Sequence, residues 1–303
     1  MRNYHIMCWE GSGTMKFAVI GGDMRIVRLA AMLESEGHEI CCFALDEAPA
    51  DLIKSCSLSV DCSAKDADCV ILPLPVLDMK GGLNAPLSSF KHNAEEIFRA
   101  LPKTAVICGG MPGEKLRKTA EELGLDFVDY FLREELVALN ALATAEGTLG
   151  VLLENSPITI WDSKILIIGY GRIGKMLATR LLALGAHVSV SAKKAGDMAY
   201  IRASGCEALD TRVLGQELFS FDTIINTVPA RVLNRERLEL LKRDVLLIDL
   251  ASRPGGFDFE AAKELGLNAL WALGLPAETA PVTAGKIIKE TVMNIMREKR
   301  GEI

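Results

Sequence analysis

Lys164-Ile-Leu-Ile-Ile-Gly169-Tyr-Gly171-Arg-Ile-Gly174 is the stretch that decides the fold. An apolar run leads straight into G-x-G-x-x-G. The following Lys175-Met-Leu-Ala-Thr-Arg-Leu-Leu-Ala-Leu184 carries apolar residues at helical spacing until Gly185 stops it. Strand, glycine turn and helix in that order are the context a dinucleotide fingerprint requires. Gly169 permits the tight turn, Gly171 lets the backbone approach a pyrophosphate, and Gly174 lets the helix pack close to the strand. The helix start presents free N–H groups and a positive dipole end to the phosphates. Arg172 and Ile173, between the glycines, are assigned to the same site. The alternative is a glycine turn that only closes a strand–helix unit.

A second strand, His187-Val-Ser-Val190, ends in Ser191-Ala192-Lys193-Lys194. NAD enzymes usually place Asp or Glu about 20 residues past the glycines to hold the ribose 2′-hydroxyl. Here no carboxylate is present, and two ammonium groups and a hydroxyl stand in its place. A carboxylate repels a 2′-phosphate, whereas Lys193 and Lys194 attract one. The reading is NADP(H) in preference to NAD(H), with Ser191, Lys193 and Lys194 at the ribose end. The alternative is a pair of solvated surface lysines. Thr227, Val228 and Pro229 after the fourth strand, and Asp249 at the end of the fifth, are placed along the cofactor.

The 303 residues suggest two domains, and 50% hydrophobic residues provide for packed cores rather than disorder. A net charge of −6 without a basic block argues against nucleic acid as a partner. Eight cysteines include no C-x-x-C pair and sit mostly in apolar runs. They read as buried thiols of a reducing cytoplasm, not a disulfide frame or metal site. No apolar run reaches the ~18 residues that a membrane span needs. Residues 1–14 lack the apolar core of a signal peptide.

Strands and helices alternate throughout, which predicts parallel sheets with helices on both faces. Strands are expected at 16–20, 38–45, 68–74, 104–108 and 126–130, and helices at 24–36, 91–100 and 113–123. After a bridging helix from Arg133, strands are expected at 164–168, 187–191, 206–209, 223–228, 245–250 and 268–273. Helices fall between them at about 172–184, 197–204, 235–241 and 258–265. The fold class is therefore α/β with two doubly wound domains. An N-terminal flavodoxin- or Rossmann-like substrate domain spans 15–140, and a C-terminal Rossmann NAD(P)-binding domain spans 141–284. An extension covers 1–14, and an amphipathic helix at 285–303 is predicted to pack back on the first domain. The bridging and closing helices suggest surfaces for oligomer formation.

The first strand ends in Val19-Ile20-Gly21-Gly22-Asp23-Met24-Arg25. A helix N-terminus with an arginine in its first turn suits a carboxylate better than a dinucleotide, so Arg25 is a candidate for one carboxylate of an acidic substrate. An ordinary turn with a surface arginine is the alternative.

Several segments together resemble one family. They are Gly21-Gly22-Asp23-Met24-Arg25, Arg133-Glu134-Glu135, Asn140-Ala-Leu-Ala-Thr144-Ala145-Glu146-Gly147, Gly169-Tyr-Gly171-Arg-Ile-Gly174, Asn226-Thr227-Val228-Pro229, Ile248-Asp249-Leu250-Ala251-Ser252-Arg253-Pro254-Gly255-Gly256 and Trp271-Ala-Leu-Gly274-Leu275-Pro276. Over about residues 15–300 the chain resembles the dipicolinate synthase A-subunit family of spore-forming bacteria. It departs from the family's pattern at Ala277, where a glycine is common. The resemblance implies NADP-dependent oxidation of dihydrodipicolinate, or its hydrated precursor, to dipicolinate during sporulation. It also implies a flavoprotein-like B-subunit for a partner and the mother-cell cytoplasm as location.

A small dicarboxylate substrate calls for cations, and Arg25, Arg133 and Arg253 are the candidates. Arg253 follows the fifth strand of the dinucleotide domain, at the sheet edge that faces a nicotinamide. Its alternative role is to stabilise the Pro254-Gly255-Gly256 turn. Glu146 is a candidate general base if burial lifts its carboxyl, and otherwise a helix-face glutamate paired with a cation. The four histidines are His5, His38, His92 and His187, with none from 240 to 290. That weakens the competing reading of a two-domain dehydrogenase of the alanine or 2-hydroxy-acid type, above all the latter, whose hydroxyl chemistry uses a catalytic histidine. A further alternative is a non-catalytic cofactor-binding subunit of a flavoprotein. His92 is expected on a helix surface.

Overall fold

The computed structural model describes residues 13–302. Most of the expected extension, and Cys8 with it, lies outside the described residues. The chain divides into two compact units, one running to Leu136 and resuming at Pro281, the other Val137–Ala280.

The first unit opens with β1 (Lys16–Ile20), α1 (Met24–Ser35), β2 (Glu39–Phe43), α2 (Val60–Ala64) and β3 (Cys69–Ile71). It continues through α3 (Ala94–Ala100), β4 (Val106–Gly109), α4 (Gly113–Leu123) and β5 (Asp126–Asp129). The strands form one parallel sheet in the order β2-β1-β3-β4-β5. Both faces are covered, which is why the strands read as near-continuous apolar runs. Phe17 and Val19 point into one apolar cluster, Ala18 and Ile20 into the other.

Two local differences from the sequence reading have local causes. Asn93 accepts hydrogen bonds from the N–H groups of Glu95 and Glu96 and so starts α3 at Ala94. His92 therefore stands before the helix, half-buried, with its ring 5.0 Å from that of Phe43 and Nε2 3.0 Å from Ser88 Oγ. The five-residue α2 is too short to show helical periodicity and is nucleated by the Ser59 cap.

The chain enters the second unit within α5 (Glu134–Asn155). By length and composition α5 is apolar enough to cross a membrane, and 44% of its apolar window is buried inside the protein. Counting apolar runs does not find it because Asn140, Thr144, Glu146 and Thr148 interrupt a segment whose hydropathy is carried by Leu, Val and Ala. The second unit continues through β6 (Lys164–Ile168), α6 (Arg172–Ala183), β7 (His187–Ala192), α7 (Ala195–Ala203), β8 (Glu207–Asp210) and β9 (Thr223–Asn226). Then come α8 (Arg235–Leu238), β10 (Leu246–Asp249), α9 (Phe259–Glu264), β11 (Asn268–Trp271) and a short α10 (Leu275–Thr279) that the sequence reading did not foresee. Six parallel strands run in the order β11-β10-β9-β6-β7-β8. This is the doubly wound dinucleotide-binding order, with its reversal between β6 and β9.

The last helix, α11 (Pro281–Arg300), belongs to the first unit. Its Ile288, Val292, Ile295 and Met296 share an apolar cluster with Leu29 and Leu33 of α1. Gly285 makes the approach possible, since a Cβ there would lie 2.5 Å from the Arg25 carbonyl oxygen and 3.2 Å from Leu29 N. Ion pairs of Lys289 with Glu36 and of Lys299 with Asp126 flank the contact. Because neither backbone atom at Gly285 can swing aside, Gly285→Ala is expected to cost a net ~1–2 kcal/mol despite its better helix propensity. Urea denaturation followed by circular dichroism checks this.

Candidate active site

Strand β6 ends where the strand order reverses. The Ile168 carbonyl accepts hydrogen bonds from both the N–H and the Oγ1 of Thr227, each at 2.9 Å. The Gly169 N–H donates to the Ser191 carbonyl at 2.9 Å. The ends of β6, β7 and β9 are thereby laced together beneath the glycine turn. Gly169 has φ +102°, and a Cβ there would lie 2.5 Å from Thr227 Oγ1 and 2.6 Å from Val228 Cγ2. A Cβ at Gly174 would run into the Gly169 carbonyl oxygen, so the first turn of α6 sits directly on the strand end.

Gly171 differs from the other two glycines. Nothing lies within 4 Å of where its Cβ would be. It occupies the N-cap of α6, no side chain caps the helix, and no acidic residue stands in its first turn. Open space over uncapped N–H groups is what a pyrophosphate needs, so the turn fits the dinucleotide. Exposed Arg172 and half-buried Ile173 occupy the first turn with Gly174.

Lys193 and Lys194 follow β7 directly, are exposed, and make no ion pair among the described residues. The Ser191 side chain is fully buried and accepts a hydrogen bond from Thr211 Oγ1 at 3.1 Å. Its hydroxyl is thus engaged within the domain, while its carbonyl accepts from the Gly169 N–H. Thr227 and Val228 are half-buried behind Gly169, and Pro229 is exposed. Asp249 is fully buried, and its carboxylate is taken up by Asn226 Nδ2, Ala251 N and Gly256 N at 2.7, 3.0 and 2.6 Å. A direct cofactor contact by Asp249 is therefore replaced by an internal role.

The three candidate arginines have different surroundings. The Arg25 guanidinium is nearly buried and forked onto Asp23 two residues earlier, with Nε 3.0 Å from Oδ1 and Nη2 2.8 Å from Oδ2. Nη2 also donates to the Leu74 carbonyl. Arg133 donates from Nε to Glu135 at 2.9 Å and from Nη1 to Glu298 at 2.7 Å, with Nη2 on the other Glu298 oxygen. Hydrogen bonding to Arg133 lowers the Glu298 carboxyl below the usual glutamate range. Arg133 is therefore a clamp between the start of α5 and α11, with each of its three nitrogens donating to a carboxylate. Arg253 alone of the three has no carboxylate partner among the described residues. It is exposed, and its guanidinium carbon lies 5.7 Å from the centre of the Trp271 ring.

Glu146 has the second of its two expected settings, a helix-face glutamate paired with a cation. Its side chain is 63% exposed and accepts from Arg180 Nη2 at 3.3 Å, so the burial a general base requires is absent. Thr144 bonds back to the Asn140 carbonyl at 2.8 Å within α5. The cysteines are less uniform than expected. Cys42, Cys69, Cys108 and Cys206 are buried and Cys62 is exposed; all described ones are free. Burial pushes the Cys42 thiol up to about 12. Among the described residues, no group of three or more His, Cys, Asp or Glu side chains is placed to hold a metal. The sequence reading missed Asn226 and Trp271, whose only signal is a polar or amphipathic side chain at the end of an otherwise apolar strand.

The second unit thus has the build of an NAD-binding domain of the dehydrogenase type. Residues 140–261 match the family model for the D-isomer specific 2-hydroxyacid dehydrogenase NAD-binding domain. Residues 16–131 match that for the N-terminal domain of the dipicolinate synthase A-subunit. The dipicolinate synthase A-subunit of Bacillus subtilis (strain 168) is 30% identical over 294 residues, covering 95% of this chain and 98% of that protein. The crystal structure of that Bacillus subtilis protein superposes with a TM-score of 0.85 at 30% identity, covering 96% of this chain and 99% of that one. The Bacillus halodurans A-subunit structure gives a TM-score of 0.83 at 28% identity, covering 94% and 99%. The chain belongs to the dipicolinate synthase A-subunit family.

Gly171→Ser separates support of the helix from binding. Serine is a good N-cap and here meets an extended backbone at φ −79°, so the melting temperature should hold or rise. Its hydroxyl takes the N–H groups that a phosphate would use, and the affinity for a reduced nicotinamide dinucleotide, measured by fluorescence titration, should fall at least tenfold, about 1.4 kcal/mol.

Proposed function

We propose that the chain is the A-subunit of a dipicolinate synthase, oxidising dihydrodipicolinate, or 4-hydroxy-tetrahydrodipicolinate with loss of a water molecule from its ring, to dipicolinate with NADP as acceptor. The proposal includes a flavoprotein-like B-subunit for a partner, an oligomeric assembly, and the cytoplasm of the sporulating mother cell as location. The free described thiols suit a reducing compartment. The observation that carries the reading is Arg253, an exposed cation without a carboxylate partner among the described residues, just beyond the C-terminal end of β10 in an NAD-binding domain.

Oxidation of a dihydropyridine dicarboxylate removes a hydride and a proton, and the gain of aromaticity drives both. Bound nicotinamide supplies the hydride acceptor. What remains for the protein is to hold a dianion in place, and proximity alone lowers such a barrier by several kcal/mol. Arg253 binds one substrate carboxylate through two parallel N–H donors. Arg25 keeps a lesser part, since its Nη1 has no hydrogen-bond partner among the described residues while Asp23 balances its charge. Arg133 and Glu146 are assigned to the scaffold. The half-buried Thr227 and Val228 back the turn that holds the cofactor.

A 2-hydroxy-acid dehydrogenase is the second reading, favoured by the match over 140–261. It lacks a histidine anywhere beyond His187. The two readings separate on mixing the purified chain with dihydrodipicolinate and NADP⁺, with and without the B-subunit, while following dipicolinate and NADPH absorbance. Product in either mixture is expected. Its absence from both overturns the proposal.

Cofactor choice has its own test. Replacing Lys193 and Lys194 together by alanine should weaken NADP⁺ at least tenfold, about 1.4 kcal/mol, and leave NAD⁺ unchanged. Equal or tighter binding of NAD⁺ by the unaltered chain overturns the NADP assignment.

A further inference from the structure

We propose that Asp249, backed by Asn226 and Trp271, is a positioning residue that holds the Arg253 loop in place and so sets the affinity for the dicarboxylate. This rests on the reading of Arg253 given above. Asp249 and Asn226 are opposite one another at the ends of β10 and β9, and both are fully buried. One oxygen of the Asp249 carboxylate accepts from Asn226 Nδ2 and from Ala251 N; the other accepts from Gly256 N. A single side chain thus ties down both ends of the 251–256 loop.

Asn226 works in the other direction. It donates to the Val228 carbonyl at 2.9 Å and accepts from Val228 N at 3.2 Å, so the pair joins the loops after β9 and β10. The glycines let the loop lie on this pair. A Cβ at Gly255 would come within 2.9 Å of Asp249 Oδ2, and one at Gly256 would overlap the Asn226 carboxamide. Trp271 supplies a third tether, donating from Nε1 to the Ala251 carbonyl at 2.8 Å while stacking on Phe259 at 5.0 Å. Its ring supports the Arg253 guanidinium, and a guanidinium resting over a ring keeps its in-plane donors for a carboxylate.

For stability alone, a buried carboxylate hydrogen-bonded to neutral groups is a poor choice beside an apolar side chain of similar size. Its acceptors are all spent on the backbone and side chain that fix one loop, which points to orientation as its role.

The test is a double-mutant cycle on the full chain, with pyridine-2,6-dicarboxylate as probe, titrated calorimetrically in the presence of NADP⁺. Asp249→Asn should weaken the probe about 10- to 100-fold while NADP⁺ affinity changes by less than about threefold. Trp271→Phe, which removes the Nε1 tether and trims the ring under Arg253, should weaken it about three- to tenfold and decides the matter if Asp249→Asn fails to fold. In an Arg253→Ala background neither substitution should cause further loss. Losses that multiply in that background, or that fall equally on NADP⁺, overturn this inference and leave the role of Arg253 intact. An Arg253→Ala chain that binds the probe as tightly as the unaltered one overturns both.

Discussion

Between the first turn of α6 and the carbonyl oxygen of Gly169 there is room for a hydrogen atom and nothing larger. That close approach sets the helix on the end of β6, with its uncapped N–H groups facing the open space over Gly171. Thr227 locks the neighbouring strand end to the same point through two hydrogen bonds on one carbonyl. Lys193 and Lys194 leave β7 on one side of this junction. The Asn226–Asp249 pair lies on the other, at the ends of β9 and β10. Each part of the candidate site is thus placed by strands that meet at the reversal of order.

Arginine chemistry depends on what surrounds it. Arg25 and Arg133 carry the charge that a dianion seeks, but carboxylates of the same chain already answer it. A ligand that displaced those partners would leave Asp23 or Glu298 uncompensated. Arg253 rests on an aromatic ring instead, which supports the cation without neutralising it. The three arginines thus differ in their neighbours, and Arg253 alone has no carboxylate partner among the described residues.

The architecture was legible because it rests on periodicity and glycine placement, which are local. The alternation of strands and helices, the 164–174 turn and the return of the closing helix all follow from short-range pattern. The site was legible only in part. The Asp23–Arg25 fork spans two residues and was open to view as an N-cap followed by a cation. The Arg133–Glu298 clamp joins positions 165 residues apart and leaves no trace in either segment. The internal use of Asp249 was hidden for another reason. Its partners are backbone N–H groups of a loop, which any sequence would supply. For Glu146 the two settings stayed open because burial on a helix of nearly uniform hydropathy cannot be read from spacing.

The discontinuity of the first unit carries a consequence for biosynthesis. The face of α1 built from Leu29 and Leu33 is covered by α11, which leaves the ribosome after the whole second unit. Val137–Ala280 is contiguous and can fold as soon as it emerges, whereas the earlier-made sheet waits with an apolar face uncovered. The core of the first unit can thus be completed only after Val137–Ala280 has been synthesised.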